Sequence, residues 1–121
     1  MNCKILLPGI AAVGLLAGGA LAQTSMVEVD DDVRLTSLNA IADDVDDRDV
    51  FDAAGVEIGE VEKVIGTDAR TPTALIVDFD GKAGYADRDV VVPLESFTID
   101  DNRLVLNAAP DAVGGMETWR D

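Results

Sequence analysis

Short runs of alternating apolar and polar residues, separated by glycine-rich or aspartate-rich turns, fill the chain from Asp49 onward. In one run Leu75, Val77 and Phe79 share a face that is predicted to be core. Five other runs follow the same pattern at intervals of about ten residues: 50–52, 56–66, 89–94, 98–100 and 103–106. This spacing predicts an all-β fold, a small antiparallel β-barrel whose closure removes exposed strand edges.

The longest run contains a change of alternation. Val56 and Ile58 have one parity, whereas Val61 and Ile65 have the other. The apolar face stays continuous only if the strand bulges or bends near Gly59. This bend is expected where a small sheet turns a corner.

Two other residues are predicted to shape the backbone. Gly55 ends the turn Asp52-Ala53-Ala54-Gly55, where a positive φ suits glycine. Pro93 cannot donate a ladder hydrogen bond, so it should end a strand or lie at a sheet edge. Neither Gly55 nor Gly59 is accompanied by a P-loop lysine and a following helix. Both glycines are therefore interpreted as requirements of the backbone conformation rather than as parts of a phosphate-binding loop.

The flanking segments are shorter and less regular. Residues 23–48 are predicted to form an acidic arm, favoured as mobile, and a short helix in which Leu38, Ile41 and Val45 recur at helical spacing. An N-terminal strand is the alternative for the arm, and a turn is the alternative for the helix. Residues 49–108 form the predicted barrel domain, and 109–121 form a short C-terminal tail.

The first 22 residues have the pattern of a signal peptide. Lys4 precedes an apolar stretch, and Ala20-Leu21-Ala22 places small residues at the positions a signal peptidase reads. Cleavage is predicted between Ala22 and Gln23, which implies a periplasmic or secreted protein. A retained membrane anchor is the alternative, because the stretch is about long enough to span a bilayer.

Composition limits the chemistry that the remaining 99 residues can perform. They contain no cysteine and no histidine, which excludes disulfides, thiol catalysis, Cys/His zinc sites and imidazole bases. They carry 8 basic and 24 acidic residues. Nucleic acid and anionic membranes would be repelled, so no nucleic-acid binding and no membrane insertion after cleavage is expected. The expected partner is a protein with a basic surface.

The many carboxylates raise the question of a calcium site. Asp44-x-Asp46 leads to Arg48, and Asp30-x-Asp32 leads to Arg34, where an EF-hand needs a third oxygen ligand. A solvated acidic surface is therefore favoured, with no metal or cofactor site assigned. Asp78 and Glu60 share strands with core residues, but both are predicted to face solvent.

Two aromatic residues are candidates for contact with a partner. Tyr85 lies in the loop 80–85, and Trp119 lies in the C-terminal tail. Aromatic side chains often contribute much of the binding energy of an interface. Packing of Trp119 over an open barrel end is the alternative.

The order and spacing of several segments resemble the PRC-barrel family. The resemblance rests on Asp49-Val50-Phe51-Asp52, Gly55, Ile58-Gly59-Glu60-Val61, the 75–79 strand, Arg88-Asp89-Val90-Val91-Val92-Pro93-Leu94 and Leu104-Val105-Leu106. It implies a small β-barrel similar to that in the H subunit of photosynthetic reaction centres and in a ribosome maturation factor. In both, the domain is a docking module, so a non-catalytic binding or scaffold protein is expected in a Gram-negative periplasm.

Two other functions remain open at this stage. The first is a cation-responsive or salt-stress envelope protein, and the second is a small carboxylate-dependent enzyme. The enzyme is the weaker hypothesis because paired catalytic acids need a cleft that holds them at a defined separation.

Overall fold

The computed structural model describes residues 26–120, and the predicted signal peptide and its cleavage site lie outside them. Nine strands are present in this range, together with two short helices, α1 (Ala42–Val45) and α2 (Pro110–Gly114). The strands are β1 (Val27–Glu28), β2 (Arg34–Leu35), β3 (Ala40–Ile41), β4 (Asp49–Phe51), β5 (Glu57–Asp68), β6 (Thr71–Phe79), β7 (Asp89–Pro93), β8 (Phe97–Asp100) and β9 (Arg103–Leu106). Single 3-10 turns occur at Thr36–Leu38 and Leu94–Ser96.

One seven-stranded sheet organises the fold. Its order is β7-β6-β5-β4-β9-β8, with β1 added beside the far half of β5, while β2 and β3 form a separate hairpin. The sheet curls as a half-barrel around its core, which confirms the predicted all-β barrel class. The pairing is not wholly antiparallel, because β4 and β9 run parallel.

The interior of the curled sheet is filled by apolar side chains. Leu75, Val77 and Phe79 are fully buried on the inner face of β6, as the alternation predicts. Val90, Val92, Leu104 and Leu106 are also buried, and every buried side chain in residues 26–120 is hydrophobic. At about 25 cal/mol per Å² of apolar area, this interior is the main source of stability.

The bends of β5 follow from irregular pairing. Its register shifts opposite β4 between Val50 and Phe51, where Ile58 is skipped, and opposite β6 between Val61 and Lys63. The first irregularity adjoins Gly59, where the sequence places the bend. Val56 does not share the buried face of Ile58 as predicted, because it lies before the strand begins and is 43% exposed.

The acidic arm is packed rather than mobile. Val27 and Glu28 pair with β5, Val29 and Val33 are buried, and the Val29 N–H donates to Val64 O at 2.9 Å. The predicted helix is limited to the single turn of α1, because the preceding residues form a 3-10 turn and β3 instead. Local propensity is overridden here by burial of the arm against the sheet.

None of the helices in residues 26–120 is long and apolar enough to cross a membrane.

Candidate functional site

The outer surface of β5, β6 and β7, called here the outer face, carries a group of three carboxylates and an apolar cluster. Successive residues of a strand point to opposite sides, so burial of Val77 inward turns Asp78 outward. Asp78 is paired with Asp89 of β7, which points to the same side. Two carboxylates therefore lie directly opposite each other on neighbouring strands.

A β-bulge brings a third carboxylate to this pair. Glu62 is skipped in the pairing of β5 with β6, while Val61 and Val64 on either side are buried. Both intervening residues, Glu62 and Lys63, consequently lie on the outer face, as a bulge permits. Carboxylate oxygens of Glu62, Asp78 and Asp89 all lie within 4.8 Å of one another.

The environment disfavours ionisation of Asp78. Partial burial raises the pKa of Asp78, and the neighbouring charge and hydrogen bond of Asp89 raise it further. More distant charges of Asp80 and Asp87 act in the same direction. The Glu62 Oε1 atom is buried and accepts no hydrogen bond. A cation that reached these oxygens would reduce the repulsion between Asp78 and Asp89 and would give the Glu62 Oε1 atom a partner.

The other part of the outer face is apolar. Ile65, Ala74 and Ile76 form a second buried cluster, separate from the interior, and Met26, Val91 and Trp119 pack against it. The C-terminal residues thus cover a patch that would otherwise be exposed. Lys63 Nζ lies 5.7 Å from the centroid of the Trp119 ring, within cation–π range.

The two aromatic candidates differ in their surroundings. Tyr85 is 5% exposed, its ring stacks on Phe79 with centroids 5.2 Å apart, and its hydroxyl donates to Ala108 O at 2.6 Å. The Tyr85 side chain therefore belongs to the core and offers almost no surface to a partner. Trp119 is half-buried and covers the outer face rather than a barrel end.

The three backbone positions singled out in the sequence all lie beside turns or strand contacts. Gly55 has φ of 89° in the β4–β5 turn, where Asp52 Oδ1 accepts from the Ala54 and Val56 N–H groups. Gly59 lies against β6, and Pro93 is the last residue of the edge strand β7.

The acidic segments tested for EF-hand spacing do not gather a ligand set. Asp30 and Asp32 instead pair with Arg70, at 3.6 and 2.6 Å. The Arg70 guanidinium lowers the pKa of Asp32. Among residues 26–120, the outer-face trio is the group of acids close enough to share one ion.

The trio was not predicted from the sequence: Asp78 was expected to face solvent, and Glu62 and Asp89 were assigned no role. Outward parity on adjacent strands is a signal for Asp78 and Asp89, but the position of Glu62 depends on the bulge. Glu60 is exposed, as predicted.

The curled sheet and its apolar interior define a small barrel-type β domain whose polar chemistry lies on its surface. The family model for the PRC-barrel domain matches residues 40–113, more than half of the chain. The chain therefore belongs to the PRC-barrel family, which confirms the resemblance and extends it at both ends. Comparisons with curated proteins and with solved structures gave no significant match.

Proposed function

We propose that this protein is an exported, non-catalytic binding or scaffold module that acts through protein–protein contacts in the periplasm. The observation that carries the proposal is the outer-face trio, Glu62, Asp78 and Asp89, held on a rigid sheet within 4.8 Å. Membership of the PRC-barrel family supports a module of this kind, and the signal-peptide pattern of residues 1–22 supports export.

The trio suits a basic protein surface because of its electrostatics. Its carboxylates are fixed by strands rather than by loops, so little conformational entropy is lost when a partner binds. Partial burial, and next the charge of Asp89, raise the pKa of Asp78. An arginine or lysine of the partner would offset the repulsion between these two carboxylates. The net charge of −15 also accelerates encounter with a basic partner, most strongly at low salt.

Affinity capture from envelope extract, with the chain from Gln23 as bait, tests this proposal. The comparison variant combines Glu62→Gln, Asp78→Asn and Asp89→Asn. A matched control removes three exposed acids of other elements: Asp100→Asn, Asp101→Asn and Asp111→Asn.

The expected result is capture of a protein by the wild type and by the matched control, reduced at least about tenfold in the outer-face variant and weakened by salt. Equal loss in both variants would show that total charge, not the trio, governs binding. Capture of no protein by any bait at low salt would refute the binding function.

A second candidate function is response to a divalent cation, which is favoured by the short separation of the carboxylate oxygens of the outer-face trio. Calcium binds oxygen ligands at roughly 2.4 Å, so oxygens within 4.8 Å of one another can reach one ion. Calorimetric titration of calcium into the wild-type chain and the outer-face variant tests this function. Stoichiometric binding to the wild type alone supports it, and the absence of heat in both rejects it.

A further inference from the structure

The outer edge of β7 is already filled by a strand-like segment of the same chain. β7 ends the seven-stranded sheet, and Val90 is paired in antiparallel fashion with Thr118. The Val91 N–H donates to Glu117 O at 2.8 Å, and the Trp119 N–H donates to Asp89 O at 2.9 Å. This is the hydrogen-bond pattern by which an extended peptide adds to a sheet edge.

The segment from Glu117 onward, called here the C-terminal segment (residues 117–120), is attached to the surface of the domain. Its main anchor is the Trp119 ring over the Ile65, Ala74 and Ile76 cluster, with Arg88 bonded to the Thr118 hydroxyl as a side contact. The preceding Met116 packs against the separate interior core. The C-terminal segment therefore packs on a cluster that is separate from the interior core.

The outer face beside this segment is acidic, because it carries Glu62, Asp78 and Asp89. Glu117 is an acidic residue of the segment itself. Arg120 is its one basic residue, and it is exposed. An extended segment with lysine or arginine on both sides of an aromatic residue would keep the backbone pairing and the ring contact. Its basic side chains would also attract the carboxylates of the outer-face trio.

We propose that the β7 edge is a strand-addition site for an extended partner segment with an aromatic residue flanked by basic residues. Residues 117–120 occupy this site as an intramolecular competitor. The inference rests on the proposed binding function and deepens it by assigning the surface and the chemistry of the partner. A tethered competitor acts at an effective concentration in the millimolar range, so the partner must exceed its affinity or displace it through additional contacts.

The test uses a fluorescent seven-residue peptide that copies residues 115–121 with lysine in place of both acidic residues. Its binding to the full chain is measured by anisotropy for the wild type, for Trp119→Ala and for the control Val56→Ala, an exposed valine at the β4–β5 turn. A second peptide, identical except for alanine in place of the tryptophan, controls for charge alone.

Loss of the Trp119 anchor should expose the site, so the peptide should bind Trp119→Ala at least about tenfold more tightly than the wild type or Val56→Ala. The peptide without tryptophan should bind all three chains at least about tenfold more weakly, and salt should weaken binding of the parent peptide. Equal affinity of the parent peptide for folded wild-type and Trp119→Ala chains would overturn the proposal.

A second measurement needs no variant. In the wild-type chain, saturating peptide should shift the amide resonance of Val91 and the indole resonance of Trp119, while the amide of Leu104 on β9 stays unchanged. Absence of both shifts at saturation contradicts the site, whether or not Trp119→Ala folds. Capture of an envelope protein without any peptide binding would retain the binding function but reject the β7 edge as its surface.

Discussion

Replacement of Gly59 by alanine should destabilise the barrel far more than its small size suggests. A Cβ atom at this position would lie 2.4 Å from Asp78 O and 3.1 Å from the Phe79 Cα. These are backbone atoms of the paired strand β6, which cannot rotate away as a side chain can. β6 would have to shift by about 1 Å to restore ordinary contact.

The cost can be estimated from the packing that must change. Overpacking a core typically costs 1–3 kcal/mol, and a backbone clash places Gly59→Ala near the upper limit, about 3 kcal/mol. A domain of this size has about 5–10 kcal/mol of stability in total. The variant should therefore lose roughly 30–60% of its free energy of unfolding, and its Tm should fall by roughly 15 °C.

Urea denaturation followed by circular dichroism measures this loss, and Gly114→Ala is the matched control. Gly114 ends α2, its added Cβ would meet nothing within 4 Å, and its φ is not positive. Alanine there should leave stability unchanged or raise it by about 0.5 kcal/mol. A Gly59→Ala midpoint equal to that of Gly114→Ala would refute the close-approach argument.

Three further substitutions test other contacts. Asp78→Asn should raise stability at pH 7 by about 0.5–1 kcal/mol, because it removes repulsion with Asp89. The pKa of Asp78 is raised in the folded protein, so the wild type gains stability as the pH falls through that pKa toward the unfolded value of about 3.9. The stability advantage of Asp78→Asn over the wild type should therefore shrink as the pH falls. Thermal melts between pH 7 and pH 4 that show a constant difference between the two proteins would contradict this. Tyr85→Phe should cost about 1–2 kcal/mol in urea denaturation by leaving Ala108 O without its hydroxyl donor, and an unchanged midpoint would reject that bond. Trp119→Ala should cost about 1–3 kcal/mol while far-UV dichroism is retained, whereas collapse of the sheet signal would show that the C-terminal segment is essential to the fold.

The candidate site lies on strands rather than in the loops between them. From the sequence, Tyr85 in the loop 80–85 and Trp119 in the C-terminal tail were the predicted contact residues. In the structure, the three carboxylates of the outer-face trio instead lie together on strands, and Tyr85 is buried in the core. A contact surface on strands is more rigid than one on loops, which favours selective recognition of one partner geometry.

Alternation along β6, β7 and β9 was sufficient to predict the all-β class and the inner face of these three strands, because side-chain direction in a strand has a fixed period of two. Gly55 in its turn and the bend beside Gly59 were also predictable, since both arise from backbone geometry within a few residues. Tertiary structure alone decided the parallel pairing of β4 with β9, the packing of the acidic arm and the burial of the Tyr85 side chain. It alone decided the outer-face trio, because the bulge at Glu62 arises from pairing with a strand distant in sequence.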